Sequence, residues 1–437
     1  MKVTRSEPVL VHPAGDAAAT VAEEYYFLSN LDQNVSVPMK TVHVFTSSSD
    51  NAASLMRESL SRVLPSYYPF QGALAVRPDG RLAVRNDRRG VPFVEAAADG
   101  ELREVTDGDV SAPGAAEALA NLVYTVRTGG EDATEEASSL LTVQVTTFKC
   151  GGLVLGLAMN HCLADGQSAA EFLRSWAEVA RGVPLSTSPF LDRSLQSARP
   201  VPTISFPHDE FAEIDDVSGL AGVFGGDVPF VYRSFTFDAS KLERLKKAAS
   251  EDAAASTTTT TCSTFVALTA FVWVVRTRAL RMRPEQRSKL LFAVDGRRRV
   301  EPPLPRGFWG NAVIFACCIS DAGDLLGRPL SAAARSIQDA IARTDDAFIR
   351  SAIDYIERNR GARPSLTATT LVTAWNRLGL DTADFGWGQA VHSGPAELPQ
   401  KEVVMILGGD RDSQSKVLVM GLPLSCVQVF EEMVDQV

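Results

Sequence analysis

Residues 139–182 read "SLLTVQVTTFKCGGLVLGLAMNHCLADGQSAAEFLRSWAEVARG". Two apolar runs flank the turn "KCGG". The second, Leu153 to Met159, is apolar on both faces, the pattern of a strand covered on both sides. His161 stands just past its end. After Ser168 the period changes: Ala169, Phe172, Leu173, Trp176 and Ala180 form one helical stripe. Ser168 with Glu171 gives a capping-box start, and Gly182 and Pro184 close the helix. Strand, histidine-bearing loop and amphipathic helix in that order point to an α/β protein.

Outward from this stretch, strands and helices mix without a regular βα alternation. "TVHVFT" (41–46) reads as a strand. Leu55, Leu60 and Val63 recur at helical spacing until Pro65. "LAVRPDGRLAVRND" alternates across a "PDG" turn and reads as a hairpin. Residues 195–232 are rich in proline, glycine and acid and show no period, which marks a connector. Beyond it come the strand "YRSFTF", the helix "SKLERLKKAAS" and the low-complexity loop "EDAAASTTTTT". The apolar helix "STFVALTAFVWVVRTRAL" follows. Two strands flank a proline-rich loop in "KLLFAVDGRRRVEPPLPRGFWGNAVIFACC". Helices, three strands and a short helix close the chain. With 437 residues the chain exceeds one ordinary core. The prediction is two similar-sized domains, each a mixed sheet with flanking helices. Residues 1–194 form the first, 195–232 the crossover and 233–437 the second.

The formal charge of -10 argues against nucleic acid as the main partner, which calls for a basic footprint. No run of eighteen apolar residues is present, so no membrane span is expected. The N-terminus has no apolar segment of secretory type. The six cysteines show no CxxC spacing, which fits a reducing, cytoplasmic setting.

The residues of "HCLADG" (161–166) admit four readings. His161 and Asp165, four apart, could share a metal, although no third ligand is evident. They could belong to a hydrolase, although no G-x-S-x-G elbow occurs and Cys162 points away from its neighbour in extended backbone. His161 could be a packed histidine beside a helix cap. It could also be a general base facing a cleft, because a neutral imidazole accepts protons near pH 7. The residues on either side of His161 leave these open.

More distant segments narrow the choice. "HCLADG" fits an HxxxDG motif, and DFGWG occurs in full at 384–388. Between them "VDGRRRVEPPLPRGFWGNA" (294–312) fits a VDxRxRxxPPLPxGYFGNA-like segment, with Phe308-Trp309 in place of Tyr-Phe. "YYPFQG" and "STFVALTAFVW" also fit. Together they resemble the BAHD family of plant CoA-dependent acyltransferases, over nearly the whole chain. The resemblance implies a chloramphenicol-acetyltransferase-like fold with an active-site tunnel between the domains. It implies His161 as general base for an acceptor attacking an acyl-CoA thioester. Asp165 and Gly166 then shape the loop. Asp384, Gly386, Trp387 and Gly388 are structural, with Asp384 pairing Arg297 or Arg299. Thr373 and Trp375 are the implied donors to the tetrahedral intermediate, and Ser263 and Thr264 the implied CoA contacts. Val274 and Val275 stand where relatives often have Arg-Ala.

The resemblance implies no permanently bound cofactor, no metal, acyl-CoA as co-substrate and a monomer. "YYFLSNLDQNVSVPMKTVHVF" (25–45) is similar to the subgroup that moves hydroxycinnamoyl groups onto ω-hydroxy fatty acids and long-chain alcohols for suberin and cutin. Transfer to a monolignol or to an amine or polyamine is the alternative within the family. The acidic "HDEFAEIDD" (208–216) is read as a solvated loop, not as an amine-binding feature. A thioester hydrolase and a non-catalytic acyl-CoA-binding protein are the alternatives of other classes.

Overall fold

The computed structural model describes the chain except residues 16–22, 107–114, 127–138, 226–227, 252–261, 399 and 410–413. Nearly all of the "EDAAASTTTTT" loop therefore lies outside the described residues. The chain forms two compact units. One contains Met1–Pro200, Pro302–Ala312 and Leu378–Glu397; the other contains Val201–Glu301, Val313–Arg377 and Leu398–Val437. The units interleave along the chain, unlike the contiguous halves read from the sequence. Two excursions of the C-terminal half join the first unit, and they carry "PPLPRGFWGNA" and DFGWG. Each bonds residues of the first unit, as described below.

The first unit is built on a seven-stranded sheet. Its order is Val3–Arg5, Val91–Ala98, Leu141–Phe148, Leu153–Asn160, Pro38–Phe45 and His392–Pro395, with Val9–Val11 also on Val91–Ala98. Only the pair Val91–Ala98 and Leu141–Phe148 is parallel, so the sheet is mixed. Every residue of Leu153–Asn160 is buried, as its two-sided apolar pattern predicts. Gly156 in this strand lies so close to the Leu122 carbonyl that a Cβ would collide with it. Helices Ala52–Val63 and Gly166–Ala180 are tied together where Trp176 Nε1 donates to the Met56 carbonyl (3.1 Å) and to Ser59 Oγ (3.0 Å). The "PDG" hairpin forms as read: Ala73–Val76 pairs antiparallel with Leu82–Arg85, and Tyr25–Phe27 joins its far edge.

His43 lies on Pro38–Phe45 opposite Leu155. Its ring is buried, with Nδ1 2.9 Å from Ser393 Oγ and Nε2 3.2 Å from Thr41 Oγ1. Burial, aided by the neighbouring His392 charge, pulls its pKa down to about 3. The fold thus holds His43 neutral, while the unfolded chain protonates it below its ordinary value of about 6.5. Between those two pH values the unfolded state binds the extra proton. The His43 contribution is complete above about pH 6.5 and is lost as pH falls, at up to ~1.4 kcal/mol per pH unit. Urea midpoints between pH 7 and 4 should fall less steeply in His43→Gln than in the wild type. Parallel slopes would contradict this.

The second unit has a six-stranded mixed sheet. Its order is Phe230–Phe237, Lys416–Pro423, Val403–Gly408, Thr369–Ala374, Arg287–Asp295 and Val313–Asp321. Thr369–Ala374 runs parallel to both of its neighbours. The helices Thr264–Ala279, Leu330–Arg343, Ala239–Ser250 and Leu424–Asp435 bury their apolar residues in one core, with Trp273, Phe271, Phe237, Ile337 and Phe430 inside it.

The acidic stretch of the connector is solvated only in part: Asp209, Glu213 and Asp215 are exposed, but the residues that open it are not all so. His208 and Glu210 are 2 % and 3 % exposed. His208 Nδ1 lies 2.7 Å from Glu210 Oε1, and Nε2 lies 2.8 Å from Ser351 Oγ. The arrangement has the form of a Ser-His-Glu triad. Ser351, however, is fully buried within helix Asp346–Arg358, where no substrate reaches it. Thr203 N donates to Asp354, Lys289 Nζ to the Ala212 carbonyl, and Gln286 Oε1 accepts from Val217 and Ser218. Buried polar groups of the second unit thus hold residues 203–218 in place, which composition alone does not reveal.

Candidate active site

His161 occupies the turn between strand Leu153–Asn160 and helix Gly166–Ala180. Its backbone is held at both ends. Its N–H donates to the Val37 carbonyl (2.8 Å), and its own carbonyl accepts from Asn311 Nδ2 (2.7 Å). The ring is partly exposed, and its Nδ1 is buried without a hydrogen-bond partner. That leaves Nε2 as the nitrogen available to a reactant. The neighbouring Cys162 is fully buried, and its thiol pKa is pushed up by burial and by the Asp32 charge. A neutral, enclosed thiol removes the Cys/His nucleophile reading.

Asp165, 1 % exposed, does not form a dyad with His161. It is the N-cap of the helix: Oδ1 accepts from Ser168 N (3.0 Å), and Oδ2 accepts from Ala312 N (3.0 Å). This corrects the sequence-based cap, which placed Ser168 at the helix start. Ser168 is instead buried one turn in, where its Oγ exchanges hydrogen bonds with the Gly310 N–H and carbonyl, both 3.0 Å. At Gly166 a Cβ would strike Leu378. The glycine that follows the aspartate is thus a packing requirement.

"GFWGNA" is the partner of this loop. Gly310, Asn311 and Ala312 bond Ser168, His161 and Asp165 in turn. Trp309, fully buried among Tyr67 and Phe70, donates Nε1–H to the Ser168 carbonyl (3.2 Å). Phenylalanine, the family's usual residue there, has no such donor. Trp309→Phe should therefore cost about 1–3 kcal/mol, from one lost hydrogen bond and the unfilled volume. A denaturation midpoint equal to that of the wild type would contradict this.

Beneath the loop lies a buried cluster that sequence reading missed. Asp32 is fully buried in the short helix Asn30–Gln33. Its carboxylate accepts from Ser29 N (2.7 Å), from Asn311 N (3.1 Å) and from Asn311 Nδ2 (2.7 Å). It pairs with Arg193 at 3.0 Å, both side chains being 0 % exposed. Arg193 donates to the Cys162 carbonyl (2.9 Å) and to the Leu163 carbonyl, and lies over the rings of Tyr26 and Trp309. Burial works against its charge, but Asp32 and Tyr26 more than offset it, and its pKa is raised. The signal was present as "LSNLD" (28–32), whose serine and aspartate stand at capping-box spacing.

DFGWG also folds onto the first unit. Asp384 was expected to pair with Arg297 or Arg299. Within its own unit one carboxylate oxygen accepts from Gly386 N (2.8 Å) and Gly388 N (2.9 Å), and the Asp384 carbonyl accepts from Arg181. Gly386 and Gly388 have φ of +116° and +97°, which side chains disfavour. Phe385 packs edge-on against Trp176 and Phe45, and Trp387 stacks on Phe385. The motif thereby locks onto the helix that Asp165 starts.

The remaining candidates lie in the second unit. Arg297 pairs with Asp295 (3.1 Å), and Arg299 donates to the carbonyls of Ile341 and Thr344 (both 2.9 Å). Thr373 is at the end of strand Thr369–Ala374, and Trp375 follows it, anchored by its N–H to the Ile406 carbonyl (2.8 Å). Both side chains are partly exposed. Ser263 caps helix Thr264–Ala279 by accepting from Val266 N (3.2 Å). Among the described residues no helix is long and apolar enough to cross a membrane.

A family model described as the Transferase family matches residues 1–437. The chain is a BAHD acyltransferase. This acyltransferase is 44% identical over 445 residues to the omega-hydroxypalmitate O-feruloyl transferase of Arabidopsis thaliana, covering 100% of this chain and 93% of that protein. It is 45% identical over 436 residues to the fatty alcohol:caffeoyl-CoA acyltransferase of the same plant, covering 99% and 98%. The crystal structure of vinorine synthase superposes with a TM-score of 0.75 at 20% identity, covering 98% of this chain and 96% of that one. That likeness shows the fold. Family membership makes the chain an acyltransferase that uses acyl-CoA as co-substrate.

Proposed function

We propose that this acyltransferase moves a hydroxycinnamoyl group, feruloyl or caffeoyl, from CoA to the hydroxyl of an ω-hydroxy fatty acid or long-chain alcohol. The observation that carries the reading is the full-length similarity, at 44% and 45% identity, to two relatives named for these two acceptor types. His161 is the base. Its Nε2 takes the acceptor's proton as the oxygen attacks the thioester carbonyl. The tetrahedral oxyanion is met by Thr373 Oγ1 and the Trp375 indole N–H, which aim donors where charge develops. Collapse breaks the C–S bond, and the imidazolium returns its proton to the departing CoA sulfur. Ser263 and Thr264 place a helix N-terminus near the CoA phosphates. The enzyme acts as a cytoplasmic monomer.

The test is an acceptor competition. Feruloyl-CoA is given with equimolar 16-hydroxypalmitate, hexadecanol, coniferyl alcohol and spermidine, and products are quantified together. Esters of the first two acceptors should dominate. Predominant coniferyl ester or spermidine amide would overturn the acceptor assignment and leave acyl transfer intact.

A further inference from the structure

Asp32 and Arg193 form a buried ion pair that no proton transfer in the reaction requires. Burying an isolated pair is commonly neutral or unfavourable for stability, so its position matters more than its strength. The pair converges on three consecutive carbonyls of the catalytic loop. Arg193 holds those of Cys162 and Leu163, and Asn311, itself bonded to Asp32 through both its N–H and its Nδ2, holds that of His161. A catalytic imidazole is commonly aimed by a partner on its second nitrogen. Here Nδ1 has none, and the obvious candidate, Asp165, is committed to Ser168 N and Ala312 N. The direction of the ring is therefore set through its backbone.

We propose that Asp32 is a positioning residue for acyl transfer, acting through Arg193 and Asn311 to hold the His161–Leu163 carbonyls and so aim His161 Nε2. This rests on the reading of His161 as the base. A displacement of about 1 Å at a reacting group can lower turnover roughly 10²-fold. The clamp should therefore affect kcat and leave the binding of acyl-CoA alone.

Two variants and two readouts test it. Asn311→Ala removes the direct link to the His161 carbonyl and leaves the Asp32–Arg193 pair in place. Asp32→Asn keeps the side-chain shape and removes the charge. For whichever variant is folded by circular dichroism, kcat should fall about 10- to 100-fold with KM for feruloyl-CoA within twofold. The His161 ring ¹⁵N resonances should shift or broaden in the same protein. Wild-type kcat with unchanged ring resonances would overturn the proposal, and so would a rise in KM at constant kcat. The ring resonances need no turnover. If the wild type transfers no acyl group, the reading of His161 as base fails, while the resonances still report whether Asp32 and Asn311 set the ring.

Discussion

His161→Ala should lower kcat/KM by roughly 10²–10⁴-fold, the range for loss of a general base, and should leave the fold nearly unchanged. The two effects separate because of how the residue is held. Among the described residues the imidazole has no hydrogen-bond partner: Nδ1 is buried and unpartnered, and the residue is partly exposed. The bonds that fix the loop use the His161 backbone N–H and carbonyl, to Val37 and Asn311, and alanine keeps both. Acyl-CoA binding, followed by calorimetry, should match the wild type. Turnover within threefold of the wild type would remove His161 from the chemistry. A fall in melting temperature as large as that of a core variant would show that the ring has a packing role instead.

Arg193→Met should cost about 3–5 kcal/mol, the usual penalty for leaving one member of a buried pair uncompensated. Asp32 is fully enclosed and its remaining donors, Ser29 N and the two nitrogens of Asn311, carry no formal charge. The Cys162 and Leu163 carbonyls lose their donor as well. Removing the charge on both sides, in Asp32→Asn with Arg193→Met, should recover much of the stability, since no uncompensated ion remains. Urea unfolding of the two single variants and the double variant measures the coupling. Additive losses, or a single-variant loss under about 1 kcal/mol, would contradict the account, because a broken buried pair costs several times that.

The sequence showed most where periodicity and burial agree. Leu153–Asn160 and Gly166–Ala180 were legible because a two-sided apolar run and a helical stripe each admit one structure. It was least informative where polar residues act over long chain separations. Ser168 looks like a cap by spacing, but its hydroxyl is used 142 residues away at Gly310. Asp384 accepts from two glycine amides of its own turn through one carboxylate oxygen, which the apolar and periodic patterns do not announce. His208 and Glu210 look solvated by composition, and Ser351, far along the chain, is what draws them inside. The Asp32 cluster joins four segments, and no local pattern connects Asp32, His161, Arg193 and Asn311. The resemblance to the family singled out "HCLADG", DFGWG and the "GFWGNA" segment without placing them against one another. The structure supplies that placement: the second and third segments clamp the loop and helix that begin at the first.

The proposed reaction is acyl transfer from a hydroxycinnamoyl-CoA to a hydroxyl, with His161 accepting the proton. Its most direct test is the stoichiometry of feruloyl-CoA consumption with 16-hydroxypalmitate, measured for the wild type and for His161→Ala. CoA and feruloyl ester should form one for one, only when the acceptor is present, and almost not at all in the variant. CoA release in the absence of acceptor, yielding free ferulate at the same rate, would identify a hydrolase and contradict the account.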